Sequence, residues 1–241
     1  MPGTGMKDQP PVPGLASQVE DLLVPDLVEV VFMDPDAEKL SLTTFPVTPT
    51  WRGPDRNMHS VFLVGDLSPG TYWMSGALAS EIRRPTYIDL YTSLHAAPFK
   101  VVREASSIAR LSGLELLDGF REIFAVVALA DHWPVDDESQ NWAGLALGGA
   151  LCEAEVSPED AARIVASVTE FGDDCDSSAR VDAVGRTYSR HARGTRIVAK
   201  GKLEEIVGRA PVRYALSMLT CAPPPQPPFR VATMDELFPQ R

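Results

Sequence analysis

The sequence predicts an α+β protein, with a small β-rich N-terminal domain followed by an all-α helical bundle. Three observations carry this. From Leu22 to about Val102, short β-rich runs alternate with proline and glycine clusters. Beyond Arg103 the apolar spacing changes to three and four. Within that second half, Ser157-Pro158-Glu159-Asp160 combines an N-cap, a proline at the first helical position and acids in the first turn. A chain of 241 residues suits one large domain or two small ones and can bury a sizeable core.

Residues 1–21 form a Pro/Gly-rich lead-in, expected to be disordered. They contain no apolar stretch of the kind a secretory signal needs. The β-rich domain is expected over 22–117. Its strand-like runs are Val28–Met33, Lys39–Val47 (alternating around Leu40 and Leu42), His59–Val64, Thr71–Met74 and Thr86–Tyr91. Asp34-Pro35-Asp36, the segment from Pro46 to Pro54, Ser68-Pro69-Gly70 and Arg84-Pro85 separate them as turns. One helix is expected against this sheet.

The bundle is expected over 118–221. Ile108, Leu111, Leu114 and Leu117 introduce the helical spacing, and Phe120–Ala130 reads as a buried helix ended by Asp131-His132-Trp133-Pro134. Asn141–Ala154 sets Trp142, Leu145, Leu147 and Leu151 among Gly and Ala, whose small size allows close helix–helix approach. After the Ser157 N-cap, Ala161, Ile164, Val165, Val168 and Phe171 form a 3–4 stripe, broken at Gly172-Asp173-Asp174. Further helices are expected over Ser178–Ala192, stopped by Gly194, over Lys202–Val207, stopped by Gly208, and over Pro211–Thr220. Residues 222–241 are a proline-rich linker and a tail suited to docking on a partner.

Composition narrows the function classes. No apolar run reaches the roughly 20 residues of a membrane span, so a cytoplasmic protein without a membrane partner is expected. Cys152, Cys175 and Cys221 are odd in number and lack a Cys-x-x-Cys spacing, which indicates neither a disulfide framework nor a cysteine zinc site. The net charge of −11 argues against indiscriminate binding along nucleic acid. That average hides an asymmetry. Glu153 to Asp176 holds eight acids and one base, whereas Arg180 to Arg213 holds nine bases and three acids.

At roughly 100° per residue, Arg186, Arg190 and Arg193 share one face of their helix, with Val181, Val184 and Tyr188 opposite. The turn that follows adds Arg196, Lys200 and Lys202. Such a stripe can track a phosphate backbone. A charged outer face is equally what any solvated helix presents, and Asp182 stands one turn before Arg186 as an intrahelical partner.

Several segments in order carry a family resemblance. They are Asp131-His132-Trp133-Pro134, Gly144-Leu145-Ala146-Leu147-Gly148-Gly149-Ala150-Leu151, Ser157 to Arg163, Gly172-Asp173-Asp174, Arg180 to Val184 with Thr187-Tyr188, and Gly201 to Gly208. Over about 100 residues this pattern resembles the primase-associated C-terminal helical domain of plasmid and phage primase–polymerase and replication proteins. The resemblance implies a bundle that helps hold template DNA, sometimes with nucleotide. It thereby implies DNA binding by Arg186, Arg190, Arg193, Arg196, Lys200 and Lys202. Where that family commonly carries a basic residue before His or Asn, this chain has Gln140-Asn141, so one cationic contact is missing.

Cores that precede such domains use paired acids, a histidine and a third acid, the acids holding divalent metal for in-line nucleotidyl transfer. Asp34, Asp36, His59 and Asp89 occur in that order, and Mg or Mn would be required only if they are catalytic. Asp34-Pro35-Asp36 reads equally as a turn. There is no Gly-x-x-x-x-Gly-Lys-Ser/Thr loop, no Gly-x-Ser-x-Gly elbow and no His-Glu-x-x-His. The sequence therefore points first to an accessory replication protein of a mobile element that binds single-stranded or primed DNA, with a helicase or primase as a possible partner. A compact primase–polymerase and a protein–protein adaptor are the alternatives.

Overall fold

The computed structural model describes residues 27–53, 56–64, 72–74, 80–83 and 100–220. It is an α+β fold that divides into two compact units. Among the described residues, one unit comprises 27–38 and 45–115 and the other comprises 39–44 and 116–220.

The first unit is built on β1 (Leu27–Phe32), whose residues are all buried. It pairs antiparallel with β3 (Met58–Leu63) on one side and with β5 (Ser80–Arg83) on the other. β2 (Thr50–Arg52), β4 (Tyr72–Met74), β6 (Lys100–Arg103) and β7 (Ala109–Arg110) complete the sheet, in the order β4-β5-β1-β3-β2-β6. β2 lies against the first half of β3, and β7 runs parallel to its last residues, with Phe62 opposite Ala109. Thr48 joins the two arrangements. Its hydroxyl donates to the Val61 carbonyl and accepts from the Ala109 N–H at 3.2 Å. Phe45 packs between Phe32 and Phe62, with ring centroids 6.4 and 5.4 Å away.

The sheet differs from the sequence expectation in three places. The Lys39–Val47 run is not a strand, because Pro35–Thr44 is a helix, α1. Asp34 is its cap rather than a turn residue between strands. The Asp34 Oδ1 accepts from the N–H groups of Asp36 and Ala37, both at 2.9 Å. Pro35 then takes the first helical position, Asp36 and Glu38 face the positive end of the dipole, and Ala37, Leu40 and Ser41 form the buried stripe. The segment from Pro46 to Pro54 holds β2 as well as turns. Residues 103–112, expected as the start of the helical spacing, instead finish β6 and form β7. The Thr86–Tyr91 run, with Asp89, lies outside the described residues.

α2 (Gly113–Ala130) opens on a capping box. The Ser112 hydroxyl accepts from the Glu115 N–H at 3.1 Å, and the Glu115 carboxylate accepts from the Ser112 N–H at 2.7 Å. Leu116, Phe120, Ile123 and Val127 give it a buried stripe at 3–4 spacing. Five further helices agree with the sequence expectation to within a few residues: α3 (Asp137–Glu153), α4 (Pro158–Phe171), α5 (Ser177–Ala192), the short α6 (Lys200–Ile206) and α7 (Arg209–Leu219). The Ser157 hydroxyl caps α4 by accepting from the Asp160 N–H at 3.1 Å. α5 ends in a Schellman motif: Gly194 adopts φ +71°, its N–H donates to the His191 carbonyl at 2.8 Å, and the Thr195 N–H donates to the Arg190 carbonyl at 3.0 Å.

α3 packs against α4, α5 and α6. Its small residues make that possible one neighbour at a time. A Cβ on Gly144 would stand 2.9 Å from the Arg180 Cδ on α5. One on Gly148 would meet a Val184 methyl at 3.6 Å, and one on Gly149 would overlap the Val198 carbonyl oxygen. Gly149→Ala must therefore displace the segment before α6, and is expected to destabilise the protein by about 1–3 kcal/mol. Gly185, on the exposed side of α5, has open space where its Cβ would be. Gly185→Ala is expected to stabilise by about 0.5–1 kcal/mol. Equilibrium urea unfolding of the two variants checks the opposite signs.

Candidate nucleic-acid interface

The basic segment separates into three groups of different physical character. The first is Arg180 alone, which is only 5% exposed. Its Nε donates to the Asp174 Oδ2 at 3.2 Å, its Nη2 to the Asp137 Oδ1 at 3.0 Å and its Nη1 to the Asn141 Oδ1 at 3.3 Å. The same Asp174 oxygen accepts from the Trp133 indole N–H at 3.3 Å. Gly172 lets Trp133 approach, since a Cβ there would stand 2.6 Å from the Trp133 Cβ. Arg180 is thus a core residue of the bundle. Gln140, at the position where the resembled family commonly has a base, is also buried.

The second group is held by nearby carboxylates. Lys200, Arg209 and Arg213 surround Glu204 at 3.9, 3.8 and 3.4 Å, and Lys202 pairs with Glu205 at 2.8 Å. The third group is Arg186, Arg190, Arg193 and Arg196. All four are exposed, and no carboxylate among the described residues pairs with them, Asp182 included. Their backbone is set by the opposite face of α5, where Ala183, Val184 and Thr187 are buried and Val181 and Tyr188 are half-buried. The Tyr188 hydroxyl donates to the Val156 carbonyl at 2.8 Å. That bond fixes the rotation of the helix and so the direction of the arginines.

An open cleft of about 470 Å³ lies between α3 and the segment that follows α5. Its walls are Trp142 and Glu153 of α3 and the segment Arg196 to Lys202. Trp142, Gly149 and Glu153 stand at i, i+7 and i+11, one stripe of α3. Because Gly149 lets the Val198 backbone lie against that stripe, Arg196, Lys200 and Lys202 come to the same cleft as Trp142. Trp142 is 40% exposed, unlike the buried Trp51 and Trp133. The sequence identified Arg196, Lys200 and Lys202 but took Trp142 only as a packing residue. Its position seven residues before Gly149 was the available signal.

The candidate catalytic residues fall elsewhere. Asp34 caps α1, and Asp36 is in that helix's first turn. His59 is buried on the sheet, its Nδ1 2.9 Å from the Oε1 of Glu29, which is 1% exposed. The His59 ring stacks on Trp51, with centroids 5.6 Å apart. Glu29 was not distinguished in the sequence, because it sits inside the apolar run of β1. Asp89 lies outside the described residues. Among the described residues, no three His, Cys, Asp or Glu side chains stand close enough to hold a metal ion, and no helix is long and apolar enough to cross a membrane.

Comparison with models of known protein families, with curated proteins and with solved structures finds no match to this chain.

Two outcomes follow from this geometry. Arg180→Met strands the buried Asp174 carboxylate and is expected to cost about 3–5 kcal/mol in urea unfolding, with part of the loss recovered when Asp174→Asn is added. Tyr188 supplies a pH dependence. Burial, with smaller contributions from the charges of Cys152 and Asp160, pushes its phenol from 10.0 up to about 12. The fold favours the protonated phenol, so its stabilising contribution is complete below pH 10 and is lost as pH rises towards 12. Thermal melts across that window should fall more steeply for the parent chain than for Tyr188→Phe.

Proposed function

We propose that this chain is an accessory replication protein of a mobile element that binds single-stranded or primed DNA through the outer face of α5 and the turn after it. One observation carries the reading: Arg186, Arg190 and Arg193 share one exposed face at the end of α5, Arg196 is exposed just after it, and none of the four has a carboxylate partner among the described residues. An arginine already held by a carboxylate must break that pair to meet a phosphate, whereas these four need not. Their guanidinium groups can engage phosphates bidentately, and Arg186 and Arg190 leave a helix whose rotation is fixed, with Arg193 as its C-cap. The resemblance to primase-associated helical domains supports the same reading. Several of its marker residues, Trp133, Asn141, Gly144, Gly172, Asp174 and Arg180, converge on one network centred on the buried Arg180 and Asp174.

The metal-dependent nucleotidyl-transfer alternative has less behind it. Asp34 is engaged as a helix cap, and His59 is buried against Glu29 rather than beside Asp34.

Fluorescence anisotropy with a labelled single-stranded oligonucleotide tests the reading. If four phosphates are neutralised, the slope of log K against log salt is about −3. Reversal of Arg186, Arg190 and Arg193 to Glu should abolish binding at moderate salt while leaving the thermal transition nearly unchanged. Absence of binding at low salt, or binding indifferent to the triple reversal, removes the proposal.

A further inference from the structure

We infer that the cleft between α3 and the Arg196–Lys202 segment is a stacking subsite for an unpaired nucleobase, with Trp142 as its platform. This rests on the DNA-binding reading above and names the part of the ligand that the arginines do not recognise. The phosphate face of α5 is indifferent to whether a strand is paired. The cleft is not. It is open, its volume of about 470 Å³ is in the range that holds a small planar ligand, and it has one large exposed aromatic ring at its wall. A base has a π-face for that ring only when it is out of a duplex, so stacking selects single strand over double.

The surrounding charges suit a base that carries phosphate. Arg196 is exposed and, among the described residues, without a carboxylate partner. Lys200 reaches Glu204 only at 3.9 Å, a separation at which the ammonium can turn to an incoming phosphate. Lys202 is the more firmly held, at 2.8 Å from Glu205, and Glu153 is the one acid among the described residues on the cleft wall. Arg196 also stands three residues after Arg193, across the Gly194 turn, so the end of the α5 stripe and the cleft are joined by a short segment. The Gly149 contact with Val198 sets the two walls against each other and gives the cleft its width.

Anisotropy with three ligands of equal phosphate number separates the contributions: a single-stranded oligonucleotide, the same strand with abasic sites, and a duplex. The parent chain should bind the single strand about tenfold tighter than the abasic strand. Trp142→Ala should erase that difference while leaving the salt slope intact, and Trp142→Phe should keep most of it. If Trp142→Ala changes nothing while the arginine reversals abolish binding, the stacking subsite is overturned and the phosphate-binding face stands. If no strand binds at all, both fall. Tighter saturable binding of a free deoxynucleoside triphosphate than of the oligonucleotide, lost in Trp142→Ala, overturns the assignment to a strand. Full retention of the abasic difference in Trp142→Ala places base recognition elsewhere and also overturns it.

Discussion

The helical unit depends on one buried charge. A guanidinium carries a full charge, so the burial of Arg180 is tolerable only if carboxylate and amide oxygens take the place of water. Asp174, Asp137 and Asn141 do this. The requirement is geometrically demanding, because the planar guanidinium fixes where its partners must stand. The start of α3 and the turn after α4 are therefore tied to the first turns of α5. Trp133 enters the same network through Asp174 and brings the end of α2 with it. Gly144 is part of the same constraint: the aliphatic stem of Arg180 runs across α3 where any larger residue would displace it. Hydrophobic stripes alone would let these helices slide along one another; a shared set of hydrogen bonds defines one register.

That constraint passes outward to the surface. With α5 held at its start by Arg180 and along its length by Val184 and the Tyr188 hydroxyl bond, its outer face has a fixed direction. The Schellman motif at Gly194 then turns the chain back, so that Val198 crosses α3 at Gly149. The cleft beside Trp142 is a consequence of this path. No residue lining it had to be selected for apposition with another in the sequence; the turn and the glycine bring them together.

How much of this is legible in the sequence follows from which signals are local. The Ser157 cap, the Gly194 stop and the wheel that puts Val184 inward and Arg186, Arg190 and Arg193 outward are local, and the structure agrees with each. The signal for α1 is equally local: the Asp34-Pro35-Asp36 cap has the same logic as Ser157-Pro158-Glu159, but the alternation of Leu40 and Leu42 that follows it imitates a strand. The Ser112–Glu115 capping box was likewise present in the sequence. What was not legible is non-local. β7 gains its strand character from β3, and nothing in Ala109-Arg110 announces it. Charge is the clearest case: Arg180 and Arg186 look alike in sequence, yet one is buried among oxygens and the other is exposed. The Glu29–His59 pair was hidden for the complementary reason, an ionisable residue read as part of an apolar run.

Sorting the cations by environment changes the meaning of the net charge. A total of −11 would repel a polyanion if it were evenly spread. It is not. Arg180 is neutralised within the core and Lys202 is paired with Glu205, while Lys200, Arg209 and Arg213 share the one charge of Glu204, so only part of their charge is offset. Arg186, Arg190, Arg193 and Arg196 have no carboxylate partner among the described residues. At physiological salt, charges more than about 8 Å away are largely screened, so a strand bound there, as proposed, would respond to the bases and acids nearby rather than to the total. The acidity of the rest of the chain then acts in the same direction as the cleft. On the proposed reading, it would discourage binding along a duplex and favour a place where phosphate attraction and an exposed aromatic ring coincide.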